Sequence, residues 1–283
     1  MNDKLKKIII MIISIIMIII LFFIYCRYIG TKGFKINEYN VINSNIPESF
    51  YGTKIVHISD IHYKSTTNYN DLKKIINKIN LIKPDIVIIS GDIFDDNIEY
   101  NEKDYENIKK ILKKIDYKIN KYAIKGEEDL NISKWEEIIN DSDFTNLNDK
   151  YEYIYNEGLD PILIVGVSSN YKNNHMLKSI QNSYKEATTN YKYSILIFHE
   201  PDCIDNIIDL KFNLALSGHS HGGGIKLPIV GGIIKDKLAK KYYKNYYKIG
   251  NTDLYISSGI GTDKNKLRFR NKPSINLYRL RNK

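Results

Sequence analysis

The sequence predicts an α/β protein with mixed β-sheets, preceded by one apolar helix long enough to cross a membrane. Three observations predict it. Residues 8–25 are almost wholly apolar, interrupted only by Ser14. After residue 50, short apolar runs of strand length alternate with stretches whose apolar residues recur at helical spacing. Acidic residues and histidines then follow the strand-like runs, at the places where open α/β sheets bind ligands.

The N-terminal segment carries Lys4, Lys6 and Lys7 before the apolar run, whose length is about that needed to span a bilayer as a helix. Phe22, Phe23, Ile24 and Tyr25 stand where a signal-peptide cleavage site requires small residues. An uncleaved anchor is therefore expected, with membrane contact through residues 8–25. The leading lysines favour a cytoplasmic N-terminus, although Arg27, Lys32 and Lys35 follow the span. The expectation is a single-pass cell-membrane protein with its soluble domain outside the cytoplasm. Residues 1–29 form the anchor, 30–50 a tether and first edge segment, and 51–283 the soluble domain.

Within that domain, residues 54–59 read as a strand and 70–82 as a helix, with Leu72, Ile75, Ile76 and Ile79 on one face. Pro84 stops the helix, and 85–90 is a buried strand. A second helix is expected over 102–115 and a short strand over 121–125. A short helix over 133–140 would be capped by Ser133, with Glu136 three residues on. Residues 151–155 and 161–167 read as strands paired through the Gly158 turn, and 173–188 as a helix. Strands at 193–198, 212–216, 254–257 and 274–280 complete one domain.

Composition narrows the partners without choosing one. The 283-residue chain has 42 Lys and Arg against 33 Asp and Glu, a net charge of +9 that favours anionic ligands or surfaces. Only Cys26 and Cys203 are present, which excludes a disulfide framework and a four-cysteine zinc site.

The residues after each strand carry the chemistry. Asp60 and His62 follow the first, Asp92 the second, Glu127 and Glu128 the third, then His199, then His219 and His221. These strand ends converge if they share one sheet edge. Carboxylate oxygen and imidazole nitrogen together suit divalent metals, and a carboxylate bridging two ions supports phosphoryl chemistry with activated water.

In this order, Asp60-x-His62, Gly91-Asp92-x-x-Asp95, His199 and Gly218-His219-x-His221 resemble the calcineurin-like metallophosphoesterases. Residues 59–62 and 217–223, with Pro228, are similar to the membrane-associated bacterial branch. That branch includes relatives of the hydrolases that cleave the pyrophosphate of UDP-diacylglucosamine. Residues 255–262 and Arg268 share the likeness, which runs from about residue 51 to the end.

The resemblance implies two mixed sheets packed as a sandwich and flanked by helices, in four layers. It also implies two divalent ions, Mn, Zn or Fe. Asp60, His62 and His221 would bind the first, His199 and His219 the second, and Asp92 would bridge them. Asp95 would be a helper behind these ligands, the alternative being an aspartate that caps its own loop. The activity implied is metal-dependent hydrolysis of a phosphate ester or pyrophosphate, on a phosphorylated small molecule or a lipid-linked substrate.

The third motif departs from the family pattern. Gly-Asn-His-Asp or Gly-Asn-His-Glu reads here as Gly126-Glu127-Glu128-Asp129. Glu127 stands at a metal-ligand position, and Glu128 replaces the histidine that assists the leaving group. A carboxylate there repels a phosphate unless it is protonated. The alternative is thus a catalytically weakened relative that binds metal or phosphorylated ligand. Of the other features, His57 reads as a packed strand residue and His175 as solvent-facing. Residues 235–248 interleave lysines with tyrosines and read either as a solvated amphipathic face or, functionally, as a contact for anionic headgroups. Nucleic acid is not the expected partner, since no recognisable nucleic-acid module is present.

Overall fold

A computed structural model describes residues 3–169 and 175–282. Its first helix, α1 (Asp3–Tyr28), is 26 residues long, about 39 Å at 1.5 Å per residue. Nearly all of it is exposed. The exception is its last turn, where Cys26 is fully buried.

The chain then lays down β1 (Lys35–Ile42), β2 (Lys54–Ile58), α2 (Tyr69–Ile82), β3 (Ile86–Ser90), α3 (Glu102–Lys113) and β4 (Asn120–Ile124). Next come α4 (Trp135–Asp141), β5 (Thr145–Asn146), β6 (Lys150–Ile154), β7 (Ile162–Gly166), α5 (His175–Glu186), β8 (Tyr193–Ile197) and β9 (Leu214–Ser217). The short strands β10 (Lys226–Leu227) and β11 (Gly231–Gly232) form a hairpin. The chain closes with β12 (Tyr246–Ile249), β13 (Thr252–Ile256) and β14 (Ser274–Arg281).

Two six-stranded mixed sheets result, ordered β1-β14-β2-β3-β4-β5 and β12-β13-β9-β8-β7-β6. The β2–β5 run is parallel, as strands joined by crossover helices must be. The chain-terminal strand β14 is inserted antiparallel to β2 and parallel to β1.

Strand alternation builds the layers. Ile86 and Ile88 of β3 face Ile195 and Ile197 of β8, in a core shared by both sheets. Val87 and Ile89 point the other way, onto Leu72, Ile76, Ile108 and Ile111 of α2 and α3. On the far side, Leu163 and Leu196 pack against Met176 and Ile180 of α5. The α/β sandwich with outer helices is therefore the observed fold, and strands buried on both faces explain the continuous apolar runs.

Some local expectations change. Lys134, not Ser133, precedes α4 and offers no side-chain cap. Trp135, wholly buried, anchors that helix instead. The lysine–tyrosine stretch contains a strand, β12, paired with β13. His175 is not simply solvent-facing, because its Nε2 lies 2.9 Å from Asp149 Oδ1. Asn173 and Asn174, placed in the α5 helix by periodicity, lie outside the described residues. His57 is packed as expected: buried in β2, it lies 2.7 Å from Ser90 Oγ, and burial holds its pKa down to about 3.

Candidate metal centre

The strand-end residues meet not on one sheet but where the strand ends of both sheets come together, at one end of the sandwich. Asp60 and His62 leave β2, Asp92 leaves β3, Glu127 and Glu128 leave β4, His199 leaves β8, and His219 and His221 leave β9. The backbone turns sharply there. Asp60, His62, Asp92, His219 and His221 all take left-handed φ angles of 44° to 62°. Each such residue costs of order 1 kcal/mol or more, which the surrounding structure must offset to keep these side chains aimed inward. Close backbone approach helps. A Cβ on Gly91, itself at φ 100°, would come within 2.6 Å of Gly126 N and His199 Nδ1.

Two buried donor groups form, Asp60/His62/His221 and Asp92/His199/His219, each with ligand atoms within 4.8 Å of one another. Asp92 sits between them, its Oδ2 2.9 Å from His199 Nε2 and 4.0 Å from His62 Nε2. Asp60 Oδ1 is 3.8 Å from both His199 Nε2 and His221 Nε2.

Hydrogen bonds fix several orientations. Asp60 accepts from Ser59 Oγ and, at 2.9 Å, from the His219 amide. His199 Nδ1 donates to the Ser90 carbonyl at 2.6 Å, turning Nε2 inward. His219 Nε2 donates to the Lys237 carbonyl at 2.6 Å, leaving Nδ1 with the inward lone pair.

The electrostatics are those of a cation site. Burial opposes ionisation of Asp60 and Asp92, yet the surrounding imidazoles hold both carboxyls below their usual range. Burial likewise opposes charge on His199, but Asp92 and Asp60 raise its pKa well above the ordinary value. Burial drives His221 down to about 3. Both ring nitrogens of His62 and Nδ1 of His221 are buried without a hydrogen-bond partner. Orphaned polar atoms of this kind are costly. Imidazole and carboxylate donors so placed fit divalent metal ions.

Glu127 stands apart from both groups. Its side chain is 36 % exposed, with Oε1 3.9 Å from His219 Nδ1. Glu128 is buried but turned toward the Asp95–Asp96 loop, its Oε2 accepting from the Asp96 amide at 3.2 Å. Burial, aided by Asp96 and Asp92, pushes its pKa up to about 7. Asp95 Oδ2 lies 4.0 Å from His62 Nδ1 and accepts from the Asn97 amide through Oδ1.

Sequence reasoning missed three contributors. Asp129 accepts from the amides of Phe94, Ile93 and Gly126, clamping the β3 and β4 loops together. Asp236 and Lys264 line the same cavity of about 320 Å³. Lys264 Nζ is 3.3 Å from Glu128 Oε1. The acidic Asp129 was visible within its motif, but no local signal marks Asp236 or Lys264, which arrive from distant loops.

An α/β sandwich that gathers carboxylates and imidazoles from both sheets at one end is the architecture of a metallohydrolase. The chain belongs to the calcineurin-like phosphoesterase family, whose model matches residues 53–223. It is 30 % identical over 260 residues to the uncharacterized metallophosphoesterase YkuE of Bacillus subtilis, covering 91 % of this chain and 89 % of that protein. It is 25 % identical to the UDP-2,3-diacylglucosamine pyrophosphatase LpxG of Chlamydia trachomatis, covering 84 % and 87 % of the two chains. A Campylobacter jejuni metallophosphoesterase, Cj0846, is 29 % identical over 80 % of this chain, which spans 59 % of that protein.

Proposed function

We propose that this chain is a membrane-anchored phosphoesterase that uses two divalent ions, Mn, Zn or Fe, to hydrolyse a phosphate ester or pyrophosphate bond. The observation that carries the reading is the pair of buried donor groups on either side of Asp92. Asp60, His62 and His221 would hold one ion, and His199 and His219 the other. Asp92 would bridge them, with Glu127 completing the second set from the rim. When bound, such ions supply Lewis acidity and activate water. His199 would offer Nε2 to the ion, its ring held by the bond from Nδ1 to the Ser90 carbonyl. Asp95 would lie beside His62, 4.0 Å from its Nδ1, and the strained strand ends keep the donors in register.

Lys264 and Glu128 take the place of the family histidine beside the substrate. The ammonium offsets the carboxylate and faces the same cavity, so a phosphate need not meet an uncompensated negative wall. The basic surface and the likeness to a protein named for a diacylglucosamine nucleotide favour a phosphorylated or lipid-linked substrate.

The anchor is α1, exposed over the stretch that would lie in lipid, and the leading lysines favour an extracytoplasmic domain. Residues 1–29 would be the anchor, 30–50 the tether and 51–283 the phosphoesterase domain, with β1 tying the middle segment to the first sheet.

One observation favours the weakened-relative reading: Glu128 is hydrogen-bonded away from the buried donors. The two readings separate in one experiment. Purified full-length protein loaded with Mn or Zn should hydrolyse an activated phosphodiester, and chelation should abolish it. Stoichiometric metal binding without turnover would leave the second reading in place.

A further inference from the structure

The hairpin after the histidine loop has no role in the site chemistry, yet its tip is unusually apolar and exposed. Leu227, Pro228, Ile229, Val230 and Ile233 lie on or beside it. Ile229 is fully exposed, Val230 67 % and Ile233 52 %. Ile229 also takes a left-handed φ of 68°, and a β-branched side chain strongly disfavours that region. Folding alone gives no reason to present such a residue to water. Lys226 and Lys235 flank the apolar tip in sequence.

Topology places this hairpin beside the apolar helix. β1 runs parallel to β14, and β14 antiparallel to β2. The start of β1, which follows α1, therefore lies at the same edge as Asp60 and His62. No long flexible segment intervenes. Phe22 and Tyr25 of α1 pack edge-on against Phe269, with ring centroids 5.1 and 5.9 Å away. Phe269 in turn bridges to Ile225, and its carbonyl accepts from the Lys226 amide at 3.0 Å. One aromatic ring thus links α1 to the base of the hairpin. A few residues beyond the tip, Asp236 and Lys237 line the candidate metal cavity.

We propose that the Leu227–Pro228–Ile229–Val230 tip is a second membrane contact, entering the leaflet nearest the domain beside α1. The occupant is the lipid bilayer itself. Continuity with the apolar helix supplies the location, and the exposed Lys235 beside the tip matches anionic headgroups. Burying exposed aliphatic side chains in the bilayer supplies the driving force. The contact holds the metal cavity against the headgroup layer, where a lipid-linked phosphate lies. The proposal rests on the reading that α1 is a membrane anchor.

Tryptophan fluorescence of the full chain in liposomes tests it, because native Trp135 is fully buried and gives a constant background. Three single variants are compared in plain and brominated lipid: Phe23→Trp in α1, Ile229→Trp at the tip, and Leu159→Trp. Leu159 is 94 % exposed on the β6–β7 turn. That turn precedes β7, at the opposite end from the donor residues. The expected result is that Phe23→Trp and Ile229→Trp add emission that is largely lost in brominated lipid, while the emission added by Leu159→Trp is retained. If Phe23→Trp is quenched and Ile229→Trp is not, the hairpin proposal is overturned and the anchor stands. If neither is quenched, the anchor reading fails and the proposal fails with it.

Discussion

The Arg268 amide donates to the Cys26 carbonyl at 3.0 Å, joining the last turn of the apolar helix to the loop that follows β13. The same loop presents Lys264 to the candidate metal cavity, and its Asn265 carbonyl accepts from Arg27 at 3.2 Å. The Arg268 side chain, 1 % exposed, donates to the carbonyls of Ser258, Gly261 and Asn271. Asn271 in turn donates through its amide to Gly224 at 3.3 Å and to the His221 carbonyl. A buried guanidinium therefore braces the loop after β13, whose backbone meets the helix end and whose Asn271 side chain holds the histidine loop.

Removing that brace should be costly. Arg268→Met leaves several buried carbonyls without a donor, and a loss of about 3 kcal/mol or more is expected. Chemical denaturation of the full chain in detergent reads it directly. A stability within experimental error of the parent would show that the network contributes little.

Asp92 lies between the two donor groups, so on the proposed two-ion reading Asp92→Ala should lose both ions. Metal content measured after gel filtration should fall from two ions per chain toward none. Retention of two would refute the bridging role.

Glu128 and Lys264 should behave as a pair. Glu128→His should raise kcat by about tenfold or more if the position faces the leaving group, within the range of a general acid. Lys264→Ala should raise KM in the parent and have a smaller effect in the Glu128→His background. Equal effects in both backgrounds would show that the two side chains act independently.

Lys121 offers a pH-dependent stability test away from the site. Its wholly buried ammonium donates to the Ser142 carbonyl at 2.8 Å and lies over the Phe144 ring at 4.7 Å. Burial lowers its pKa to about 8 from an ordinary 10.5. Between those values the unfolded chain binds more protons, so this group's contribution to stability rises with pH across that window. Lys121→Met removes the dependence. Its stability relative to the parent should therefore be highest near neutral pH and fall by up to about 3 kcal/mol by pH 10.5. A constant difference across that range would refute the assignment.

Much of the architecture was legible from local pattern. Strands buried on two faces give unbroken apolar runs such as 86–89, and amphipathic helices repeat at 3.6 residues, so both leave signatures in sequence. The donor residues were equally visible, because each sits at the end of a readable strand. Ser133 misled because a cap pattern is a weak local preference, and burial of Trp135 outweighs it.

The sequence by itself determined the apolar N-terminal helix, the α/β class and the residues that could ligate metal. All three rest on short-range periodicity or on residue type. Only the tertiary structure decided that β14 inserts between β1 and β2, since strand pairing between distant segments leaves no local trace. That insertion brings the last turn of α1 to the end of the sandwich that carries Asp60, His62, His219 and His221. It also decided that Glu128 meets Lys264 across 136 residues of sequence, at 3.3 Å. The charge of the third motif is balanced by a contact between loops that sequence spacing could not reveal.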